Sequence, residues 1–146
     1  MTTPRVLFLC TGNSARSIMG AALLRHLAGD RFEVHSAGTE PKGINPYTVR
    51  VLQPLGIDLA GERSKSVAEF EGQAFDYVIT VCDSAAESCP VFPGAPRRIH
   101  WSFPDPAAAT GSDDERLAAF RRTAREMRMR VAAFATERGA APDDAG

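Results

Sequence analysis

The sequence predicts an α/β fold, in which a single domain holds a four-stranded parallel sheet with helices on both faces. Continuous apolar runs, typical of strands buried on both sides, alternate along the chain with segments whose apolar residues recur at helical spacing. The chain has 146 residues, of which 44% are hydrophobic and 24% charged, as in one ordinary soluble globular domain. No repeat or linker divides it.

The opening of the chain predicts a strand, a tight loop and a helix. Residues 5–9 contain a continuous apolar run, Val6 to Leu9, that ends at Cys10, as in a strand buried within a parallel sheet. Residues 12–14 are turn formers and break the run. In residues 15–28 the apolar side chains recur at helical spacing, and Gly29 is placed to end the helix.

The middle of the chain predicts three more strands separated by short helices and loops. The expected strands are residues 32–36, 76–82 and 98–101. Pro46 can open a helix that Gly56 ends, and residues 67–70 are expected to form a helical turn. Residues 83–96 are polar and then rich in proline and glycine, which predicts a mobile loop with about one helical turn.

The end of the chain predicts a long helix. Residues 112–115 match a capping box, and an apolar stripe at helical spacing then continues until Gly139. The domain is therefore expected to span residues 1–139, and residues 140–146 to form a flexible tail. Ligands of such sheets bind at the carboxyl ends of the strands. Cys10, Ser36 and Cys82 all lie at such ends.

Charge and composition exclude several classes of function. The net charge is −1, and the five arginines between residues 121 and 130 are interpreted as a solvated helix face, so no nucleic-acid partner is expected. No apolar run is long enough for a membrane span or a signal peptide, which favours a cytoplasmic protein. We also expect the protein to be a monomer. Three cysteines argue against a secreted disulfide scaffold, and the histidines lack metal-ligand spacing.

The segment from Cys10 to Ser17 predicts an anion-binding loop with a nucleophile at its base. Cys10 and Arg16, with five residues between them, span a loop that joins a buried strand to a helix N-terminus. Amides of such a loop converge on one point, and an arginine in the first helical turn can bind two oxygens of a tetrahedral oxyanion. This field stabilises a thiolate, and Ser17 can donate to the sulfur, so Cys10 is expected to be nucleophilic. The expected oxyanion-binding residues are Thr11, Gly12, Asn13, Ser14, Ala15, Arg16 and Ser17.

Several segments together resemble one known superfamily. Residues 6–17, with the sequence VLFLCTGNSARS, and residues 35–39, with the sequence HSAGT, resemble the low-molecular-weight protein tyrosine phosphatase superfamily. Within that superfamily, residues 81–83, 89–90 and 100–106 are similar to the thioredoxin-coupled arsenate reductases. The resemblance covers residues 5 to 135, which is nearly the whole chain.

The resemblance implies a redox relay of three thiols with no bound cofactor. Cys10 would attack arsenate, the loop and Arg16 would bind its oxygens, and Asp105 would protonate the departing hydroxide. Cys82 would attack Cys10 and expel arsenite, and Cys89 would then move the disulfide to Cys82–Cys89 for reduction by thioredoxin. Phosphate and sulfate would bind as analogues of arsenate.

The residues themselves support the relay but leave alternatives open. Disulfide exchange requires each sulfur to reach the next. Six residues separate Cys82 from Cys89, and residues 84–88 contain nothing that would anchor a rigid core element. The alternative interpretation makes Cys82 a buried strand residue and Cys89 incidental. Asp105 lies between two prolines in a stiff loop that can hold a proton donor, although Asp-Pro is also a common turn dipeptide.

A supporting shell around the loop is also implied. The resemblance implies that the Asn13 side-chain amide holds the loop in shape through a hydrogen bond to Ser36. Some relatives bind potassium here through these two residues and two acids, whose places are taken in this chain by Ala21 and Lys65. We therefore expect no potassium site, because hard cations favour carboxylates. The Lys65 ammonium either fixes the loop in the place of the ion or is simply solvated.

Two other functions compete with arsenate reduction. A tyrosine phosphatase would use Cys10, Arg16 and Asp105 in the same way, but it needs neither of the other cysteines. Phosphatases of the superfamily generally carry an aromatic residue after the Asp-Pro pair, whereas Ala107 stands there in this chain. A sensor that binds arsenite or a metal through three thiols would need neither Arg16 nor Asp105.

Overall fold

The computed structural model describes residues 3–87 and 89–139. Its strands are β1 (Arg5–Cys10), β2 (Glu33–Gly38), β3 (Tyr77–Thr80) and β4 (Arg97–His100). Its α-helices are α1 (Arg16–Ala28), α2 (Pro46–Leu52), α3 (Asp83–Glu87) and α4 (Asp113–Gly139). Short 3₁₀ helices lie at Gln53–Leu55, Val67–Phe70 and Pro106–Ala108. The expected tail, residues 140–146, lies outside the described residues.

The four strands form one parallel sheet in the order β2-β1-β3-β4. This confirms the predicted single-domain fold with a four-stranded parallel sheet. In the register, Cys10 lies opposite Gly38, and Leu9 lies opposite Thr80. The carboxyl ends of the three strands β2, β1 and β3 therefore meet at the same edge of the sheet, where ligands of parallel sheets bind.

Both faces of the sheet are covered. On one face α1 packs against β1 so closely that a Cβ atom on Gly20 would lie 2.5 Å from the Phe8 ring. On the other face His35 packs against Phe70 of the 3₁₀ helix Val67–Phe70, with ring centroids 5.3 Å apart. Successive residues of a strand point to opposite faces, which accounts for this division. The core is therefore built around β1, whose residues 6–9 are fully buried.

Helix α4 closes the domain against α1 and α2. Its expected apolar stripe is buried along the whole helix and consists of Leu117, Phe120, Ala124, Met127, Val131 and Phe134. Most of the arginines between residues 121 and 130 are exposed, and Arg130 lies over the Trp101 ring. Within residues 3–87 and 89–139, no helix combines the length and the apolar character that a bilayer span requires.

Some element boundaries differ from the sequence-based expectation. Strand β2 continues two residues beyond the expected end, because Ala37 and Gly38 still pair with β1. Strand β3 is shorter than expected, although the Val81 N–H donates to the Leu9 carbonyl at 3.0 Å. The helix from Pro46 becomes a 3₁₀ turn at Gln53–Leu55, because Pro54 has no N–H for a regular helical bond.

Candidate active site

The loop between β1 and α1 is held from outside through its carbonyl groups. The carbonyl oxygens of residues 10–14 all accept hydrogen bonds from segments outside the loop. The donors are the main-chain N–H groups of Thr39, Glu40, Lys42 and Asn45 and the hydroxyls of Thr48 and Ser64. Because the carbonyl and the N–H of a trans peptide point in opposite directions, the amides are left to face the concave side.

A close approach of β2 to the loop makes this arrangement possible. A Cβ atom on Gly38 would lie 2.5 Å from the Thr11 carbonyl oxygen and 2.8 Å from the Asn13 nitrogen. Real side chains do not tolerate such contacts, so only glycine fits at the end of β2. Gly38 at the end of this strand thus allows the loop to pack directly against the edge of the sheet.

The sulfur of Cys10 lies at the base of the loop and is almost fully buried, with 2% of the residue exposed. The main-chain N–H of Asn13 points at this sulfur from 3.3 Å, and the Ser17 hydroxyl oxygen lies 2.8 Å away. Two groups that can donate hydrogen bonds therefore face the sulfur. The structure therefore brings the expected nucleophile and Ser17 together.

Asn13 is the central residue of the supporting shell. Its φ of 45° lies in the left-handed region, where asparagine is more frequent than most residues. The side-chain amide donates to Ser17 at 2.8 Å and to Ser36 at 3.0 Å, and its oxygen accepts from the main-chain N–H of Lys65 at 2.7 Å. One buried amide thus connects the loop, helix α1, strand β2 and residue 65.

The Lys65 side chain acts differently from the sequence-based expectation. Its ammonium does not reach Asn13 but donates to a Glu62 carboxylate oxygen and to the Arg63 carbonyl, each at 2.8 Å. The loop is instead supported by the Lys65 main-chain N–H. A lysine side chain is flexible enough to bind a carboxylate three residues earlier, and this local partner explains the difference.

Arg16 and Asp105 face each other across the mouth of the loop. One guanidinium nitrogen of Arg16 donates to the Phe103 carbonyl at 3.1 Å, and another lies 3.9 Å from an Asp105 carboxylate oxygen. The other carboxylate oxygen of Asp105 accepts from the Ala107 N–H at 3.0 Å and caps the 3₁₀ helix Pro106–Ala108. The structure therefore places the expected anion-binding cation and the expected acid at one opening.

A cavity of about 250 Å³ lies between these groups. It is bounded by Cys10, the loop, Arg16, Lys42 and Asp105. Lys42 was not identified from the sequence. Its N–H donates to the Gly12 carbonyl at 2.9 Å, and its side chain runs along Gly12 toward the cavity. The sequence gives no local signal for it, since Lys42 lies in an irregular Pro/Gly stretch.

The two other cysteines lie at different distances from the loop. The Cys82 sulfur is buried, and it lies 3.4 Å from the Thr11 hydroxyl oxygen, next to the loop. Cys89 is half-buried and lines a cavity together with residues of β3 and β4. All three cysteines are free thiols. The structure thus brings Cys82 to the loop and leaves Cys89 in a separate cavity beyond a five-residue helix.

The assembled groups suit one kind of chemistry. A loop of amides and an arginine can hold a tetrahedral oxyanion, a buried sulfur can attack its central atom, and a carboxyl group can protonate the leaving oxygen. A second thiol beside the loop can attack the first sulfur once an adduct has formed.

Comparisons with known proteins agree with this geometry. The model of the low molecular weight phosphotyrosine protein phosphatase family matches residues 5–140. An arsenate reductase of Halalkalibacterium halodurans is 42% identical over 130 residues, covering 89% of this chain and 94% of that protein.

Solved structures give the same result. The crystal structure of an arsenate reductase from Archaeoglobus fulgidus superposes with a TM-score of 0.73 at 31% identity, covering 90% of this chain and 99% of that one. A thioredoxin-dependent arsenate reductase of Corynebacterium glutamicum gives a TM-score of 0.62 at 29% identity, covering 90% of this chain and 63% of that one. The chain belongs to the low molecular weight phosphotyrosine protein phosphatase family, and three curated relatives at 39–42% identity are arsenate reductases.

Proposed function

We propose that this protein reduces arsenate to arsenite and is regenerated by thioredoxin. The observation that carries the proposal is the position of Cys82, whose buried thiol lies beside the anion-binding loop, 3.4 Å from the Thr11 hydroxyl. A hydrolytic enzyme does not need a second thiol at this place. The relatives named arsenate reductase support the same choice.

In the first step the loop amides and Arg16 bind arsenate over Cys10. The Cys10 thiolate attacks arsenic, a sulfur–arsenic bond forms, and one oxygen leaves as water after Asp105 donates its proton. Asp105 is well placed for this, because it lies across the cavity from the sulfur beside Arg16. A hydroxide leaving group departs faster when a positioned acid protonates it.

In the second step the Cys82 thiolate attacks the Cys10 sulfur. The sulfur–arsenic bond breaks, and its electron pair stays on arsenic, so arsenic(V) becomes arsenic(III) while two thiols become the Cys10–Cys82 disulfide. In the third step the Cys89 thiolate attacks Cys82 and releases Cys10 as a thiolate. Thioredoxin then reduces the Cys82–Cys89 disulfide by the same exchange chemistry.

Thioredoxin coupling also implies the compartment. Reduced thioredoxin is maintained in the cytoplasm, where disulfides of this kind are transient and catalytic. The thioredoxin-dependent relative from Corynebacterium glutamicum supports this electron donor.

A phosphatase would use the same loop, but the cavity wall favours the reductase. Ala107 lines the cavity beside Asp105. An alanine at this place offers no flat aromatic surface against which a phosphotyrosine ring can stack. Phosphate and sulfate are expected to bind as tetrahedral analogues and to compete with arsenate.

The test combines steady-state turnover with trapping. Wild-type protein should oxidise NADPH in an arsenate-dependent manner when thioredoxin and thioredoxin reductase are both present, and should stop when thioredoxin is left out. After one exposure to arsenate, Cys89→Ser should release one arsenite and hold a Cys10–Cys82 disulfide on peptide mapping. Cys82→Ser should stall at the arsenic adduct. Sustained thioredoxin-dependent turnover of Cys89→Ser would remove Cys89 from the mechanism.

A further inference from the structure

Cys89 opens onto a cavity that is separate from the anion-binding loop. This cavity of about 140 Å³ lies against β3 and β4 and is partly apolar, with Val78 and Ile99 in its wall. Among the described residues that line it, the titratable side chains besides Cys89 are Arg98 and His100. The cavity therefore places one cation and one histidine at the thiol that the proposed relay uses last.

Arg98 and Cys89 meet at one carbonyl oxygen. A guanidinium nitrogen of Arg98 donates to the Pro90 carbonyl at 2.8 Å, and the Cys89 sulfur lies 3.5 Å from the same oxygen. Pro90 directly follows Cys89, so a guanidinium held on this carbonyl remains next to the sulfur. Arg98 itself is fixed by its main chain, which pairs with Val78 in the sheet.

The electrostatic effects on Cys89 oppose each other. Burial raises the pKa of the Cys89 thiol above its ordinary value, while the positive charge and the hydrogen bond of Arg98 lower the pKa and partly offset that rise. Without Arg98, only the effect of burial would remain. Disulfide exchange requires the thiolate, so the fraction of ionised Cys89 limits the rate of attack.

His100 is engaged elsewhere. Its Nδ1 atom lies 2.8 Å from the Thr80 hydroxyl, and its Nε2 atom lies 2.8 Å from an Asp83 carboxylate oxygen. The hydrogen bond from His100 lowers the pKa of Asp83, which therefore stays ionised and keeps the ring in this position. With both ring nitrogens occupied, His100 is not free to take the proton of Cys89. Arg98 is thus the group of this cavity wall that acts on the thiol.

We propose that Arg98 is a positioning residue for the last internal step of the relay, in which its guanidinium, held on the Pro90 carbonyl, favours the thiolate of Cys89. This inference rests on the proposed thiol relay. In that step the Cys89 proton passes to solvent, the Cys89 sulfur bonds to the Cys82 sulfur, and the Cys10–Cys82 bond breaks with Cys10 leaving as a thiolate. One disulfide replaces another, so no further oxidant or reductant is needed.

The first experiment measures the thiol without the relay. In a Cys10→Ser, Cys82→Ser protein, Cys89 is alkylated with iodoacetamide across a range of pH, with Arg98, Arg98→Ala or Arg98→Lys in place. The alkylation midpoint should move to higher pH in Arg98→Ala and remain close to wild type in Arg98→Lys. Arg97→Ala is the matched control, because Arg97 is its exposed neighbour on β4 and points to the other face.

The second experiment measures the step itself. After one exposure to arsenate, acid-quenched samples are mapped for conversion of the Cys10–Cys82 disulfide to Cys82–Cys89. Because less Cys89 is ionised without the guanidinium, this conversion should be roughly three- to tenfold slower in Arg98→Ala at neutral pH, with recovery at alkaline pH. Release of the first arsenite should be unchanged, because Arg98 is not part of that step.

The outcomes separate this inference from the proposed function. An unchanged alkylation midpoint in Arg98→Ala overturns the role of Arg98, even where the relay operates in the wild type. Slowing that is equal at every pH and is not rescued by lysine also overturns it, since a purely structural contact would give that result. A wild type that never forms the Cys82–Cys89 disulfide overturns the relay, and the role assigned to Arg98 in it.

Discussion

The Ser17 hydroxyl oxygen lies 2.8 Å from the Cys10 sulfur and, at the same time, 2.8 Å from the side-chain nitrogen of Asn13. Because the side-chain nitrogen of Asn13 can only donate, the Ser17 oxygen must accept there, and its own proton is left for the sulfur. All three residues are buried. The Asn13 side chain therefore orients the Ser17 hydroxyl so that its proton points toward the Cys10 sulfur.

Ser17→Ala should weaken this nucleophile. A hydrogen bond to a charged group contributes about 1.5 to 3 kcal/mol, so kcat/KM for arsenate should fall by roughly 10- to 100-fold. Thr123→Ala is the matched control, because it removes another buried hydroxyl, which bonds the Ala119 carbonyl far along α4. If both variants lost the same activity, the Ser17 contact would matter for stability alone.

Asp105→Asn should lower the rate with arsenate by roughly 10²- to 10⁴-fold, which is the usual contribution of a positioned general acid. Thermal stability should change little, because an asparagine oxygen can still accept from the Ala107 N–H, as Asp105 does at 3.0 Å. Comparison with Asp105→Ala separates the loss of the cap from the loss of the acid. Retention of most of the wild-type rate by Asp105→Asn would show that this carboxyl group serves only the turn.

The sequence was sufficient to predict the parts of the site whose signals are local. The apolar run before Cys10, the turn residues after it and the helical spacing from residue 15 onward together define the loop, because all three features lie in one short segment. Parallel pairing at the carboxyl ends then accounts for the approach of Ser36. These predictions rely on strand and helix periodicity, which is the strongest local signal in a sequence.

The parts that could not be predicted come from irregular segments. Lys42 and the Phe103 carbonyl reach the site from loops whose conformation depends on many distant contacts, so no periodic pattern indicates them. The partners of the Lys65 ammonium could not be predicted for a different reason. A lysine has four rotatable bonds and binds the nearest acceptor, and Glu62, three residues earlier, competes with Asn13 for its ammonium.

Lys42→Gln should raise KM for arsenate while leaving kcat nearly unchanged. Lys42 is exposed at the cavity mouth, where its charge attracts an anion before the chemical step. Exposed charge pairs contribute about 0.2 to 1 kcal/mol, so a change of about 1.4- to fivefold in kcat/KM is expected, decreasing at high salt. Arg31→Gln removes one exposed charge from the turn between α1 and β2 and serves as the control. An equal effect in both variants would assign the change to net charge.

Exchange of potassium for sodium at constant ionic strength should leave activity and thermal stability unchanged. The Asn13 oxygen, which would be a ligand, already accepts the Lys65 N–H at 2.7 Å, and residue 21 is a buried alanine without a carboxylate. A hard cation would find too few anionic oxygens here. Thermal unfolding and turnover are measured in matched chloride salts. Activation specific to potassium would contradict this account of the loop.

The ion pair of Glu62 and Lys65 should make stability depend on pH on the acid side. Burial raises the pKa of Glu62, but the hydrogen bond from Lys65 and the charge of Arg25 outweigh it, so the folded-state pKa lies below the ordinary value of 4.5. A carboxyl group with a lowered pKa stabilises the fold fully above its unfolded-state value and loses that contribution as pH falls toward the folded-state value. Lys65→Ala should therefore reduce the free energy of unfolding at neutral pH by about 1 to 3 kcal/mol and by less near pH 4.

Turnover of Lys65→Ala should stay near wild type, because the main-chain N–H to Asn13 is kept. Denaturant unfolding across pH 3 to 8 checks the loss of stability, with Glu69→Gln as the control, since Glu69 forms a more exposed pair with Arg63. A loss for Lys65→Ala that is the same at every pH would show that the packing of the lysine stem, and not the pairing with Glu62, stabilises this segment.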